Sequence, residues 1–241
     1  MEESSPTSGS GAGGRPLYLE EYPSFNDFEQ MALRDIVRRL RGNDLRVLEI
    51  GSWLGSGSTL VFINELKDKN AHLYCVDTWQ GSPNVQRHLE IAQNFDVFGI
   101  FVHNVQDNLQ GGLVNVLMMT SDRAAELVGD ASLDLVFIDG DHSYEQTLRD
   151  IRNWLPKVRP GGILCGHDCE VRVTKENQAV FHTNRHKDSI ESVSPFFVVN
   201  HPGVVLSVHE VFGGRARLWA EQTVRLDSGP EGRSTLWEIN V

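Results

Sequence analysis

Two short runs bring together residue types that can hold a cation and move a proton. Asp139-Gly140-Asp141-His142 follows the apolar run 133–138, and His167-Asp168 follows the shorter apolar run 163–166. Each run reads as a buried parallel strand that delivers its acids to the carboxyl edge of a sheet. If the doubly wound strand order holds, these two ends are neighbours and Asp139 faces Asp168. Two carboxylates at close range repel unless a proton or a cation intervenes, and aspartate oxygens with water suit a hard divalent ion such as Mg2+. His167 beside them shifts the preference toward transition metals. A metal there would polarise a substrate hydroxyl and lower its pKa. His142, three residues beyond Asp139, has the titration range to accept the proton. The simpler alternative is that Asp139 and Asp168 are polar strand ends bonded to loops.

A second constellation lies upstream. Residues 46–59 read as strand, tight loop and helix, with Gly51, Gly55 and Gly57 in the loop and Glu49 embedded at the apolar strand end. Glycines at such a turn permit positive φ and let a ligand lie against the backbone. Glu49 is costly there without a polar partner. The spacing G-x-x-x-G-x-G differs from the G-x-G-x-x-G of dinucleotide binders, so the ligand need not carry a pyrophosphate. Asp77 closes the next strand, 71–76, where an acid can accept hydrogen bonds from both ribose hydroxyls. Trp79 either lines the cofactor or caps the core. Ser121 and Asp122, after a third strand at 114–119, are candidates for the adenine side or for the cap of the following helix, 123–128.

These groups need an open α/β sheet to position them. A helix at 26–41 opens with Asn26 and Glu29 in a capping-box relation, and another starts at Ser143 with Gln146 in the same relation. Residues 83–110 read as a helix to about Phe95 and then an irregular apolar passage around 98–102. A helix at 204–212 precedes two terminal strands, 216–224 and 235–240. The fold class expected is a Rossmann-like, doubly wound sheet, mostly parallel with one antiparallel strand near the C-terminus. Residues 1–14 are Ser, Gly, Pro and Glu with almost nothing to bury and are expected to be a disordered tail. Residues 15–43 carry the first helix and an aromatic-apolar patch (Leu17, Tyr18, Leu19, Tyr22, Phe25) suited to docking or to a substrate flap. The main domain spans 44–241, with a polar insertion near 170–195 placed to act as a lid.

Composition narrows the classes. The 241 residues carry 33 acidic and 22 basic side chains, a formal charge of −11, with no basic run to attract a phosphate backbone. No apolar stretch approaches the roughly 20 residues of a membrane span, and residues at the N-terminus lack a charged-then-apolar signal pattern. Cys75, Cys165 and Cys169 lack zinc-ligand spacing and read as buried free thiols, consistent with a cytoplasmic setting. The partner expected is a small molecule rather than nucleic acid or membrane; a homo-oligomer is left open.

Taken together, residues 49–59, Asp77, the run 137–144 and the run Arg159-Pro160-Gly161-Gly162…Gly166-His167-Asp168 resemble the class I S-adenosylmethionine (SAM) methyltransferases. The resemblance is to the branch with macrocin- and mycinamicin-type sugar O-methyltransferases and the cephalosporin-biosynthesis methyltransferase. It covers roughly 44–168 and extends weakly to 201–213. It implies SAM as cofactor, with Glu49, Gly51, Ser52, Gly55 and Ser58 around its methionine part and Asp77 on the ribose, which would leave Ser121 on the adenine side. It also implies Mg2+ on Asp139 and Asp168, with His142 as base. His167 departs from the branch, standing where some relatives carry an acid. The activity implied is metal-assisted O-methylation of a natural-product or sugar-like hydroxyl. The rivals are an NAD(P)-dependent oxidoreductase, against which the glycine spacing argues, and a non-catalytic SAM- or metal-binding module.

Overall fold

The computed structural model describes residues 25–226 and 228–241. The tail 1–14 and all of the aromatic patch except Phe25 lie outside the described residues. Helix α1 (Asp27–Arg38) is capped by Asn26, which accepts from the N–H groups of Phe28 and Glu29, while Glu29 accepts in return from Asn26 N at 3.0 Å. Then follow β1 (Leu45–Ile50), α2 (Ser58–Leu66), β2 (Ala71–Asp77), α3 (Gln86–Asn94), α4 (Val97–Gln110), β3 (Val114–Met118), α5 (Ser121–Leu127), β4 (Leu133–Ile138), α6 (Tyr144–Trp154) and β5 (Val158–Gly166). The remainder comprises α7 (Gln178–Asn184), β6 (Ile190–Glu191), β7 (Val199–Asn200), α8 (Pro202–Phe212), β8 (Arg217–Leu218), β9 (Val224–Arg225), β10 (Glu231–Gly232) and β11 (Trp237–Asn240).

Seven strands form the main sheet in the order β3-β2-β1-β4-β5-β11-β8. The pairs among β1 to β5 are parallel, and β11 runs antiparallel to both β5 and β8. This is the Rossmann-like α/β sheet expected. Strand alternation feeds a core on each face. Val47, Leu73, Cys75, Leu135, Phe137 and Cys165 pack toward α1, α2 and α4. Leu48, Val76, Val136, Ile138 and Leu164 pack toward α5, α6 and α8. Strand order reverses between β1 and β4, and the crevice outside their carboxyl ends is where an open α/β sheet takes its ligand.

Three local readings are corrected. Residues 98–102 lie inside a regular helix, α4, whose Val97, Phe101 and Val105 share a buried face. Gly99 obscures that periodicity, but Asp96 caps the helix by accepting from Gly99 N at 2.9 Å. The capping box at Ser143 is not formed. Asp141 Oδ1 accepts from Ser143 N at 2.7 Å instead, and Gln146 turns to Asp150 at 3.0 Å. The expected strand 216–224 is interrupted by a single 3-10 turn, Trp219–Glu221. As a result β8 joins the main sheet through β11, while β9 pairs with β10. The three cysteines are free and buried.

Candidate active site

The first strand and the loop after it are organised around one buried acid. Glu49 has no exposed surface, and its carboxylate accepts hydrogen bonds from Ser52 Oγ at 2.8 Å, Ser58 Oγ at 2.6 Å and Thr59 Oγ1 at 2.7 Å. Burial pushes its pKa up to about 7 against the pull of these hydroxyls. Glu49 thus stands behind the loop and ties both ends of it, while Gly51, Ser52, Gly55 and Ser58 line a cavity of about 510 Å³. Gly51 has no alternative: its φ is +89°, and a Cβ there would lie 1.8 Å from the carbonyl oxygen of Asp139. This contact locks the end of β1 onto the end of β4.

Asp77, at the end of β2, organises the neighbouring corner. Its carboxylate accepts from Trp53 N at 2.8 Å and from Trp79 N at 2.7 Å, and both tryptophans have positive φ, 43° and 54°. Burial raises the Asp77 pKa, with the two N–H groups opposing. Trp79 is a core residue, packed on Phe98 and Phe101 at ring separations of 4.9 Å and donating its indole N–H to Trp53 O. Asp77 and Ser121 line a second cavity of about 380 Å³ that shares Gly51, Trp53, His88, Asp139 and Gly140 with the first. Ser121 donates to Asp150 at 2.6 Å and accepts from the Trp154 indole at 2.7 Å. Burial pushes the Asp150 carboxyl up to about 7.

Where the two cavities meet, the acids and histidines converge. Adjacent β4 and β5 end in register, Ile138 against Gly166, so that Asp139 emerges beside His167 with Asp168 next along the chain. Asp168 sits at φ +63°, its N–H on Thr235 Oγ1 at 3.3 Å. Its Oδ2 is 3.1 Å from His142 Nε2, and its Oδ1 is 3.0 Å from His167 Nδ1. Both imidazoles stand 3.8 Å from Asp139 Oδ1. Burial alone would lower the His142 pKa, but Asp168, Asp139 and Asp188 outweigh it and hold the imidazolium well above its ordinary range. His167 is raised likewise against burial by Asp168, Glu29 and Asp139. Asp168 is held well below the usual carboxylate range because His167, His201 and His142 together overcome its burial.

Donor atoms of Asp139, His167 and Asp168 lie within 4.8 Å of one another. Two carboxylates and an imidazole at that spacing fit a divalent ion, with a mixed donor set rather than the all-oxygen shell Mg2+ favours.

The structure therefore brings Asp139, His142, His167 and Asp168 together beside Gly51, with Asp77 and Ser121 in the adjoining cavity. It also supplies partners the sequence reading did not assign to the site. Asp188, from the polar insertion, pairs with His142 Nδ1 at 2.8 Å. Glu29 of the α1 capping box places Oε1 3.0 Å from His167 Nε2, an ion-pair distance without hydrogen-bond alignment. His201, at the start of α8, reaches Asp168 and Glu170. The signals were indirect: Asp188 lies in the polar insertion placed as a lid, and His201 immediately precedes the Pro-Gly start of a helix.

A sheet that reverses between β1 and β4, with a glycine turn at one strand end and an acid-histidine cluster at the other, defines a ligand-binding α/β enzyme fold. A family model described as a methyltransferase domain matches residues 48–169, half of the chain and the part that carries the glycine loop, Asp77, Asp139, His142 and Asp168. The chain belongs to this family, and with it to the SAM-dependent methyltransferases. Among curated proteins it is 30% identical over 129 residues to the uncharacterized protein y4gI of Sinorhizobium fredii. That match takes in 53% of this chain but only 13% of the relative's length. Among solved structures it resembles a candidate O-methyltransferase of Klebsiella pneumoniae (TM-score 0.55, 20% identity, 90% of this chain and 82% of that one). It also resembles cofactor-bound Rv0187 from MTB (TM-score 0.55, 15% identity, 91% and 84%). These likenesses concern the fold. Among the described residues no helix is long and apolar enough to cross a membrane.

Proposed function

We propose that the chain transfers the methyl group of SAM to a hydroxyl of a small-molecule acceptor, with a divalent ion held by Asp139, His167 and Asp168. The observation that carries this reading is the position of His142 Nε2, 3.1 Å from Asp168 and 3.8 Å from Asp139, where the two cavities join. The cavity bounded by Asp77 and Ser121 suits the nucleoside part of SAM, and the glycine loop suits its methionine part. The cavity bounded by Phe25, His142 and Asp188 is left for the acceptor. Among the described residues its lining sets four carboxylates, Glu29, Asp139, Asp168 and Asp188, against the imidazoles of His142, His167 and His201 with no Lys or Arg, so no surplus positive charge awaits an anionic acceptor and a neutral, hydroxyl-bearing one suits it. A sugar-like or other natural-product hydroxyl fits that description.

A divalent ion there would supply polarisation of the acceptor oxygen and charge compensation for the two carboxylates. His142 takes the hydroxyl proton at Nε2, while Asp188 holds the ring through Nδ1. Asp168 and Asp139 are the groups that keep the imidazole protonated in the free protein, so neutralising them makes His142 available as a base. The loop residues contribute by aligning oxygen, methyl carbon and sulfur.

Thermal unfolding with SAM, S-adenosylhomocysteine, NAD+ or NADP+, each with Mg2+, Mn2+ or EDTA, tests the proposal. A ligand at about 100 times its Kd adds roughly 2.7 kcal/mol. Stabilisation by SAM and its product, with a further shift abolished by EDTA, is the expected pattern. Stabilisation by NAD(P)+ alone would replace methyl transfer with hydride transfer as the reading.

A further inference from the structure

His201 has no part in the scheme above, yet it is built into the same cluster. Donor atoms of His142, Asp168 and His201 all fall within 4.8 Å of one another. Ligands each about 2.0–2.2 Å from a common ion stand no farther apart than this. Each imidazole is also backed by a carboxylate of its own. Asp188 Oδ1 is 2.8 Å from His142 Nδ1, and Glu170 Oε1 is 2.5 Å from His201 Nδ1. Glu170 is buried and fixed further by the His201 backbone N–H at 3.2 Å and by Asn200 Nδ2 at 3.5 Å. A carboxylate on the outer nitrogen is the arrangement that orients a metal-ligating histidine and fixes its tautomer, as Asp188 does for His142; Glu170 on His201 Nδ1 leaves Nε2 as that ring's ligating nitrogen.

The two histidines are also held rigidly to each other. Helix α8 lies directly on the backbone of 142–144: a Cβ at Gly203 would come within 2.2 Å of His142 O and 2.4 Å of Tyr144 N. The His142 and His201 rings meet edge to face with centroids 4.7 Å apart.

We propose that His142, Asp168 and His201 form a binding site for a borderline transition-metal ion, distinct from the Asp139–His167–Asp168 set and sharing Asp168 with it. Two imidazoles and one carboxylate suit Zn2+, Co2+ or Fe2+ far better than Mg2+. Because His142 is the proton acceptor in the function proposed above, an ion seated here takes its Nε2 out of use and switches the enzyme off. That consequence rests on the methyl-transfer reading; the site does not.

The test is a Zn2+ titration of the EDTA-stripped full chain against a chromophoric chelator, in excess Mg2+. Stoichiometric binding is expected, weakened at least about 10-fold by His201→Ala and about 10- to 100-fold by Asp188→Asn, and changed little by His167→Ala. If His201→Ala fails to fold, His201→Gln keeps an amide for Glu170 and carries the test. Zn2+ binding that survives loss of His201 but disappears in His167→Ala or Asp139→Asn would overturn the proposal, as would the absence of stoichiometric binding. SAM-induced stabilisation measured on the same samples separates the two readings: its loss with Zn2+ binding retained sinks methyl transfer and leaves this site standing.

Discussion

Glu49 offers the sharpest test of the reasoning from burial to loop geometry. Its carboxylate has no exposed surface and a pKa near 7, against an ordinary value of 4.5. A raised carboxylate means that the folded chain holds a proton the unfolded chain has released, so ionisation of the unfolded state costs folding stability as pH rises. The cost is absent below about pH 4.5, grows through the interval to 7 and is complete above it. That rise in pKa corresponds to about 3 kcal/mol at the upper plateau, of which roughly 2–3 kcal/mol develops between pH 5 and pH 8. Glu49→Gln keeps the shape and an acceptor for Ser52 and Thr59, while the Ser58 hydroxyl can turn to accept from the amide. That substitution carries a pH-independent offset and no titration. Asp150 and the clustered histidines titrate in both proteins, so they cancel in the difference. Thermal unfolding of wild type and Glu49→Gln from pH 5 to 8 at fixed ionic strength should show the wild type losing Tm relative to the variant by roughly 5–10 °C. Two curves that stay parallel across this interval would refute the argument, because no other group separates them.

Further predictions follow from the same contacts. Gly51→Ala forces a Cβ onto the Asp139 carbonyl at a positive φ and should cost more than about 2 kcal/mol; a urea midpoint equal to wild type would show that β1 and β4 are not locked at this point. Asp77→Ala removes the acceptor of the Trp53 and Trp79 N–H groups, and isothermal titration should show SAM affinity reduced at least about 10-fold, consistent with the ~1.5–3 kcal/mol of a charge-assisted hydrogen bond. His142→Ala should keep SAM affinity within a few-fold while slowing methyl transfer by roughly 10²–10⁴-fold; collapse of SAM affinity would make His142 a structural residue. Glu238, buried between Arg39 and Arg217, should cost about 3 kcal/mol when changed to Ala, since two cations lose one buried partner; a change below about 1 kcal/mol in chemical denaturation would count against it.

The parallel part of the sheet was legible because buried strands announce themselves as apolar runs and end on residues that do not belong in a core. Val47, Leu135 and Leu164 mark strands, and Gly51, Asp139 and His167 mark where they stop. Helix α4 was not legible: Gly99 sits in its first turn, and its apolar side chains are spread around more than one face. The Ser143 capping box failed for a related reason. Two acids precede it, and Asp141 reaches the N–H of Ser143 before any side chain of the helix can. The C-terminal strand is broken where a side chain from elsewhere anchors it, with Arg172 on Glu221 and on the Ala216 carbonyl. Long-range partners of this kind leave no periodic trace in the sequence.

The site divides along the same line. Asp139, His142, His167 and Asp168 were readable because they sit at strand ends that the sheet must bring together. The groups that set their protonation were not, since each arrives on a segment with a separate reason to exist. Glu29 caps α1, Asp188 belongs to a polar insertion, and His201 precedes a Pro-Gly helix start. Only the tertiary fold brings Asp188 and His201 to His142, and those contacts decide what the imidazole can do. A histidine three residues from an aspartate is a base by pattern. Held between Asp168 and Asp188, it is a cation until the charge beside it is neutralised. In the function proposed above, the chemistry open to His142 is set by whichever cation takes Asp168, and by whether that cation also takes His201.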